Sequence, residues 1–530
     1  MRRGEVARNL SRGTLFLGTE KVITSVSTVL YSALIARWLG PTGYGKFALA
    51  FSAITLAIAF TGNFETYLDA FAAEHHLFNR LAMLRRAFAI AFGLKFALGL
   101  VAGTVVVLLT PWLAERYRIP ELLFLLPLLS VSILADSLAT TGRSVLFGLQ
   151  RFGWVSTLSL VASVGRTALV WALWTSRKGL HSLALGMSGL AVAQALLFGV
   201  VAMVVLASLK PAPPRESPVE APPETGLLRQ MVKYCMPMLG ANMSFLSGQS
   251  LGKLVLGLVL DPAHLGYFNF AFTTVERFVE ILSTLPRALL PSLAQIFAIG
   301  DRERLHFVFN QAFRLIQFAA LALSFGLFVY AREIILFVGS PLFEPAVPLL
   351  RILALVPIVR TAQQPLTVLF QSLREPRHVL MAALAKLFAE GTGYLLLVTL
   401  TLGVAWACWS NLAGALASFA CAMFLAGRLL PEGVHERLSV FKRSLAVLVP
   451  SALITLAADR WLGDAASLAV RLPLAIPALL GAVAVGLITR YDLEKLYTLP
   501  SGSQLLARWR DRMLAGADRV VVLFGRREDA

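Results

Sequence analysis

Four charged side chains lie within a single long apolar segment of this sequence. The segment spans about residues 267–293, and the charges are Glu276, Arg277, Glu280 and Arg287. If such a segment crosses a bilayer, each charge near the centre costs roughly 2.5–3.5 kcal/mol, whereas each Leu returns only about 0.3–0.6 kcal/mol. Facing lipid, the four charges would cancel most of the apolar driving force. The pattern therefore predicts a helix face turned toward protein or water.

These side chains could serve two kinds of chemistry. Glutamates inside an apolar helix can exchange protons or attract sodium, and arginines bind phosphate through charge-assisted hydrogen bonds. Glu276, Glu280 and Arg287 follow one another at steps of four and seven residues, so they share one helix face. A plainer interpretation stays open, in which Arg277 forms an internal ion pair with its glutamate neighbours and only joins helices.

Polar side chains recur at helical spacing on three more predicted helices. They are Glu20, Lys21, Thr24, Ser27 and Tyr31 in the first, Thr55, Gly62, Thr66 and Asp69 in the second, and Asn242, Gln249 and Lys253 in the seventh. We expect these faces, with that of the eighth helix, to line one polar cavity between two halves of the chain. Lys253 could instead extend its ammonium to the membrane surface, and Glu20 and Lys21 could neutralise each other.

Arg166 is the deepest charge of the fifth predicted helix. It could face the same cavity, or it could pair with groups of the fourth helix, where Asp136 and Arg143 stand at comparable depth. Both interpretations remain open.

The composition defines the class of protein. Hydrophobic residues make up 57% of the 530-residue chain and charged residues only 15%, whereas soluble domains carry about 45–50% and 25%. Apolar runs long enough to span a bilayer recur throughout. The net charge of +18 does not indicate nucleic-acid binding, because the basic residues form short clusters between apolar runs, as expected for cytoplasmic loops.

Other functional motifs are missing from the sequence. The three cysteines, Cys235, Cys408 and Cys421, lie in apolar stretches and indicate neither a disulfide framework nor a metal site. The adjacent pair His75-His76 is interpreted as part of a solvated loop. Nucleotide-binding and zinc-protease motifs are absent, and the basic N-terminus precedes a helix with no cleavage motif. We therefore expect no cofactor, no metal and no enzymatic activity.

The apolar runs predict an all-α, polytopic membrane protein with about 14 transmembrane helices. An N-terminal bundle over residues 1–209 precedes a proline-rich cytoplasmic linker over 210–226, and a second bundle follows over 227–430. Residues 431–490 add two helices, and 491–530 form a basic amphipathic tail. Lys and Arg accumulate in alternate loops, which places both termini in the cytoplasm.

Two related phrases mark corresponding turns of the two bundles. Gly43-Tyr44 and Gly266-Tyr267 each follow an apolar run and a proline, and they are 223 residues apart. An even number of predicted spans separates them, so both turns lie on the outer face. This arrangement predicts two parallel repeats of about six helices each. Since glycine permits a sharp turn, Gly43 and Gly266 are candidate hinges.

The first of these turns resembles that of a known family. The run from Ala36 to Ala50, Ala-Arg-Trp-Leu-Gly-Pro-Thr-Gly-Tyr-Gly-Lys-Phe-Ala-Leu-Ala, is similar to the first outer turn of Wzx-type polysaccharide flippases, and Asp261 to Tyr267 resembles the matching turn of the second half. These proteins share a superfamily with MATE exporters and lipid II flippases. The helix count extends the resemblance over about residues 10–490.

The resemblance implies a membrane flippase. Such proteins move an undecaprenyl-pyrophosphate-linked oligosaccharide from the cytoplasmic to the periplasmic leaflet of the bacterial inner membrane by alternating access. It implies a cationic cavity, for which the candidates are Lys21, Arg166, Lys253, Arg277 and Arg287, and ion coupling, for which they are Glu20, Asp69, Glu276 and Glu280. Expected partners are the lipid-linked oligosaccharide, membrane lipids, a polysaccharide polymerase and chain-length proteins, and no nucleic acid.

Two alternatives remain open at this point. An ion-coupled exporter of small molecules or drugs from the same superfamily predicts a smaller, acidic cavity. A polytopic enzyme acting on lipid-linked sugars predicts a carboxylate or histidine at the outer surface.

Overall fold

The computed structural model describes residues 3–77, 80–209, 226–283, 302–373, 375–429 and 434–461, with the isolated positions 473 and 482. Within these ranges every regular element is a helix, and the prediction of an all-α protein is confirmed. The predicted linker up to Lys210–Thr225, the helix expected near 468–489 and the tail of 491–530 lie outside the described residues, apart from those two isolated positions.

The helices follow one another with short connections. Their bounds are α1 Arg3–Ala59, α2 Glu65–Leu77, α3 Leu81–Tyr117, α4 Leu122–Gly148, α5 Phe152–Thr175, α6 Leu180–Ser208, α7 Leu227–Val259, α8 Pro262–Leu282, α9 Arg302–Val329, α10 Ala331–Ile334, α11 Val347–Leu353, α12 Val356–Ser372, α13 Pro376–Thr399, α14 Val404–Leu429 and α15 Val434–Trp461. A π-helical turn, Ile335–Gly339, and a 3-10 turn, Pro341–Ala346, lie between α10 and α11.

In the described residues nine helices are long and apolar enough to cross a membrane, or ten if the bent pair of α11 and α12 with its preceding turn forms one span. These spans and the exclusively helical structure confirm a polytopic membrane protein. Helix α8 is not among the nine, because Glu276, Arg277 and Glu280 lower its hydropathy. The buried polar face that this helix offers replaces lipid contact with protein contact.

Two prolines affect the helices differently from expectation. The first two predicted helices form one helical element, α1, broken only at Gly40, whose φ of 64° and ψ of −179° are not helical, with Pro41 directly after the break. Proline is tolerated there because the first turn of a helix does not need its N–H. Pro111 was expected to end the third helix, but α3 continues through it to Tyr117 and ends at Arg118, which has a left-handed φ of 55°.

The chain divides into two compact units. The first comprises residues 1–277, 336–346 and 390–407, and the second comprises 278–335, 347–389 and 408–530. Helix α7 and most of α8 therefore group with the first six helices. In the first unit α4 is the central helix, since it packs against α1, α2, α3, α5 and α6.

The second unit is organised around α9, which packs against α12 and α15. Arg437 of α15 is only 1% exposed; its guanidinium lies over the Phe309 ring and donates a hydrogen bond to Asn310. Asn310 in turn donates to Glu436 at 2.6 Å. A second interhelical pair joins Arg351 and Asp459. Such pairs hold polar groups inside a membrane bundle without leaving them unsatisfied.

Candidate functional site: a polar cavity in the first unit

A cavity of about 220 Å³ lies within the first unit. It is lined by α1 on both sides of its break and by residues of α5, α6, α7 and α8. Ten of the lining residues carry hydroxyl or amide groups: Ser27, Thr28, Tyr31, Ser32, Tyr44, Ser52, Thr55, Ser163, Asn269 and Thr273. Predicted helices 1, 2, 7 and 8 thus meet at one cavity, although all its lining residues belong to the first unit rather than to both.

Three cations line this cavity, namely Arg166, Lys253 and Arg277. The Lys253 Nζ lies 5.0 Å from the centre of the Phe272 ring, and the Glu276 carboxylate is close enough to attract it. Among the described lining residues there is no carboxylate. A low-dielectric pocket with several cations and no facing acid favours an anionic ligand.

Tyrosines and hydroxyl groups form the remaining wall. Tyr44 makes side-chain hydrogen bonds with Thr273 and Asn269. On the opposite side the Ser27 hydroxyl lies 2.8 Å from that of Thr167 and bonds to the Ser163 carbonyl at 3.1 Å. Groups that both donate and accept hydrogen bonds suit a ligand rich in hydroxyls.

Asn269 was not recognised from the sequence. It lies one helical turn before Thr273 on α8, so extending the polar face of that helix by four residues would have identified it. Ser163 and Met187 carry no such signal, because each lies alone on an apolar helix.

The other predicted site residues lie away from the lining. Glu20 is 6% exposed and its carboxylate is 3.9 Å from the Arg143 guanidinium, while Lys21 is half-buried. Glu280 lies on α8 beyond Arg277, where its backbone carbonyl accepts a hydrogen bond from Ser283. Arg287 is outside the described residues.

Asp69 lies on α2, which is not among the candidate spans. Its side chain is reachable by solvent in a narrow recess, where desolvation raises the pKa of the carboxyl from 3.8 to about 6. A hydrogen bond from Ser144 and the Arg143 charge oppose this shift, and Glu65 adds to it. Asp69 can therefore exchange a proton at mildly acidic pH.

One end of the cavity is closed by backbone packing. A Cβ atom added to Gly45 would overlap the carbonyl oxygen of Pro262, and one added to Gly266 would overlap that of Pro41. The two turns are thus equivalent at a spacing of 221 residues, not at the 223 that the Gly-Tyr match gave. The same register relates two stacked ring pairs, Phe47 with Phe51 and Phe268 with Phe272.

Aromatic rings and one arginine complete this closed end. Tyr44, which also lines the cavity, contacts Phe270 and Phe343 edge-on, each at 6.0 Å between ring centres. Arg37 donates hydrogen bonds to the carbonyls of Phe337 and Gly339 in the π-helical turn, the latter at 2.6 Å. Any ligand passing this end must separate these contacts.

The two glycines predicted as hinges have different surroundings. The break in α1 lies at Gly40, and Gly43 lies within the helix that follows it, where an added Cβ would be 3.0 Å from the Leu39 Cβ. Gly266 lies inside α8 at the close backbone contact.

The fold and the cavity together define an all-α, multi-pass membrane protein with a polar, cation-lined pocket. Similar folds occur among solved structures. An inward-facing multidrug resistance MATE family transporter of the MOP superfamily matches with a TM-score of 0.58 at 12% identity, over 78% of this chain and 96% of that one. The lipid II flippase MurJ, in its inward closed conformation, matches with 0.59 at 13% identity, over 88% and 96%.

A MOP superfamily transporter from Pyrococcus furiosus, described as having a binding pocket of reverse polarity, matches with a TM-score of 0.56 at 14% identity, over 80% of this chain and 96% of that one. No curated protein matches the sequence. The family model described as "polysaccharide biosynthesis protein" matches residues 34–348. The chain therefore belongs to this polysaccharide biosynthesis family, as the resemblance of its first turn implied.

Proposed function

We propose that the protein is a flippase that moves an undecaprenyl-pyrophosphate-linked oligosaccharide to the periplasmic leaflet for surface polysaccharide synthesis. The observation that carries this proposal is the cavity lining, in which Arg166, Lys253 and Arg277 occur without a facing carboxylate. A diphosphate supplies the matching negative charge, and cationic side chains bind it through charge-assisted hydrogen bonds. The lipid tail stays in the bilayer, and no covalent bond is made or broken.

The hydroxyl-rich wall fits the sugar part of such a substrate. Tyr44, Asn269 and Thr273 present donors and acceptors next to the cations. The described cavity of about 220 Å³ is smaller than the 300–1,000 Å³ typical of ligand pockets. An oligosaccharide therefore requires the cavity to widen, which supports a cycle of alternating access.

The direction of transport follows from the charge of the loops. The Lys and Arg bias favours cytoplasmic termini in a bacterial inner membrane and an outer position for the turn at Gly40. The closed end at Gly45 and Gly266 is then the periplasmic end. In this assignment the cycle is completed when the Arg37 contacts and the aromatic cluster separate.

The driving force of the cycle is assigned to carboxylates near the cavity. Glu276 is beside Lys253, so a proton or sodium ion on this carboxylate would alter the charge presented to the substrate. Glu20, Asp69 and Glu280 are further coupling candidates, and a polymerase with its chain-length protein would receive the product.

Complementation of a flippase-deficient strain tests the function. We expect surface polysaccharide to be restored by the wild-type chain and not by the Arg277→Ala variant expressed at equal level. Failure of the inserted wild-type chain with several different repeat units would reject the flippase. Transport of cationic drugs by the purified protein would instead support an exporter.

A further inference from the structure

A buried lysine lies beside a break in the helical path of the first unit. Lys95 of α3 is only 3% exposed. It is 14 residues from the start of a 37-residue candidate span, which places it about 21 Å along the helix axis. An ammonium at such a depth is costly and requires polar partners.

Those partners come from the break between α1 and α2. The Lys95 ammonium donates a hydrogen bond of 2.8 Å to the Gly62 carbonyl, and the Glu65 carboxylate is 3.0 Å away. Gly62 has a left-handed φ of 79°, which turns this carbonyl out of the helical path. Asp136 of α4 is close enough to be stabilised by the same ammonium.

Further polar groups at the break point to a cation-binding geometry. Helix α1 ends at Ala59, so its last carbonyls carry the negative end of the helix dipole toward the break. The Asn63 amide nitrogen is buried without a hydrogen-bond partner among the described residues. Interrupted membrane helices bind monovalent cations through such carbonyls and carboxylates.

We propose that the interrupted helix forms a cradle for one monovalent cation and that the ammonium of Lys95 permanently occupies it. The oxygen ligands are the Gly62 carbonyl and the Glu65 carboxylate, with Asp136 as the outer counter-charge. The cation is covalently tethered, so the break stays neutralised in every state of the molecule and needs no exchangeable ion. This inference does not depend on the proposed flippase activity.

The proposal predicts that the lost cation can be replaced. Lys95→Ala removes three methylene carbons and the ammonium, which together correspond to n-propylammonium. We expect purified full-length Lys95→Ala to melt at a lower temperature than wild type in choline chloride. Addition of n-propylammonium chloride should recover part of this loss, and equal n-propanol should not. Tryptophan fluorescence follows the transition.

A double-variant comparison covers the case in which Lys95→Ala does not fold. Lys95→Met leaves the Glu65 charge buried and unpaired, whereas Glu65→Gln/Lys95→Met removes both charges. Removal of one partner of a buried pair destabilises more than removal of both, so the double variant should melt at the higher temperature. Lys46→Ala is the matched control, because Lys46 pairs with Glu121 at a partly exposed site; it should show no amine rescue.

Two results would overturn the tethered cation. One is a folded Lys95→Ala protein whose melting temperature equals that of wild type or does not respond to n-propylammonium. The other is a double variant no more stable than Lys95→Met.

Discussion

Gly45 and Gly266, 221 residues apart, each lie against the carbonyl oxygen of the proline that begins the other's helix. Neither position has room for a Cβ atom. The contact is reciprocal because the two turns are repeats of one another, and it brings the two helix starts together at the end of the polar cavity.

Alanine at Gly45 or Gly266 is expected to prevent this closed end from forming. Overpacking at a tight contact costs roughly 1–3 kcal/mol, which would shift the population toward an open form. Labelling of a cysteine placed at Tyr44 should become faster. Gly93→Ala is the control, since an added Cβ there meets nothing within 4 Å; an equal effect of both substitutions would contradict the prediction.

Arg37→Ala should weaken the same closure by a different route. It removes the donors to the Phe337 and Gly339 carbonyls, and hydrogen bonds from a charged group contribute about 1.5–3 kcal/mol. Faster labelling at position 44 with little loss of melting temperature is the expected result. Arg116→Ala, on an exposed face of α3, should leave labelling unchanged.

Removal of cavity cations should reduce the affinity for anionic lipid substrates. Arg277→Gln or Lys253→Gln removes one charge each, and the loss of one charge-assisted hydrogen bond corresponds to roughly tenfold or more in binding. Binding of an undecaprenyl-pyrophosphate lipid to protein in nanodiscs measures this. The exposed Lys178→Gln provides the control, and equal affinity in all three variants would reject the cavity as the binding site.

Stability should depend on the protonation of Asp69. Desolvation raises the pKa of this carboxyl to about 6, so the folded protein binds a proton more tightly than the unfolded chain does. The stabilising contribution is complete below the ordinary value of 3.8 and is lost as the pH rises through about 6. Asp69→Asn should flatten the melting temperature across this interval and raise it at pH 7. A wild-type profile that is flat from pH 4 to 7 would contradict this.

The break at Gly40 offers a test of the hinge hypothesis. Its φ of 64° lies in the region that disfavours side chains other than glycine. Gly40→Val should reduce transport more than Gly43→Val, because Gly43 is already helical, whereas Gly266→Val should act through the backbone contact. Equal transport in the Gly40 and Gly43 variants would show that the break does not move.

The polar faces of the helices could be predicted because their cause is local. A charge in an apolar helix costs the same wherever that helix packs, so Lys253 and Arg277 were recognisable as residues facing protein or water. The spacing of Thr273 and Tyr31 likewise follows from the helical period alone.

Lys95 was not recognised as significant, although it is a lone lysine in an apolar segment. Its meaning depends on a carbonyl made available 33 residues earlier, at Gly62. The register of the internal repeat was missed for a similar reason. A four-residue identity at 223 outweighed a Pro-Gly-Phe pattern at 221, and only the overlap of Gly45 with the Pro262 carbonyl distinguishes the two.

The sequence by itself determined a membrane-spanning, all-helical chain with polar helix faces and two similar turns, because hydropathy, helical period and the glycine and proline positions are properties of short segments. Tertiary structure decided which of the charges share a cavity, which turn residues touch and which lysine fills the helix break. Those outcomes depend on atoms hundreds of residues apart that meet within a few ångströms, and a linear pattern does not contain such distances.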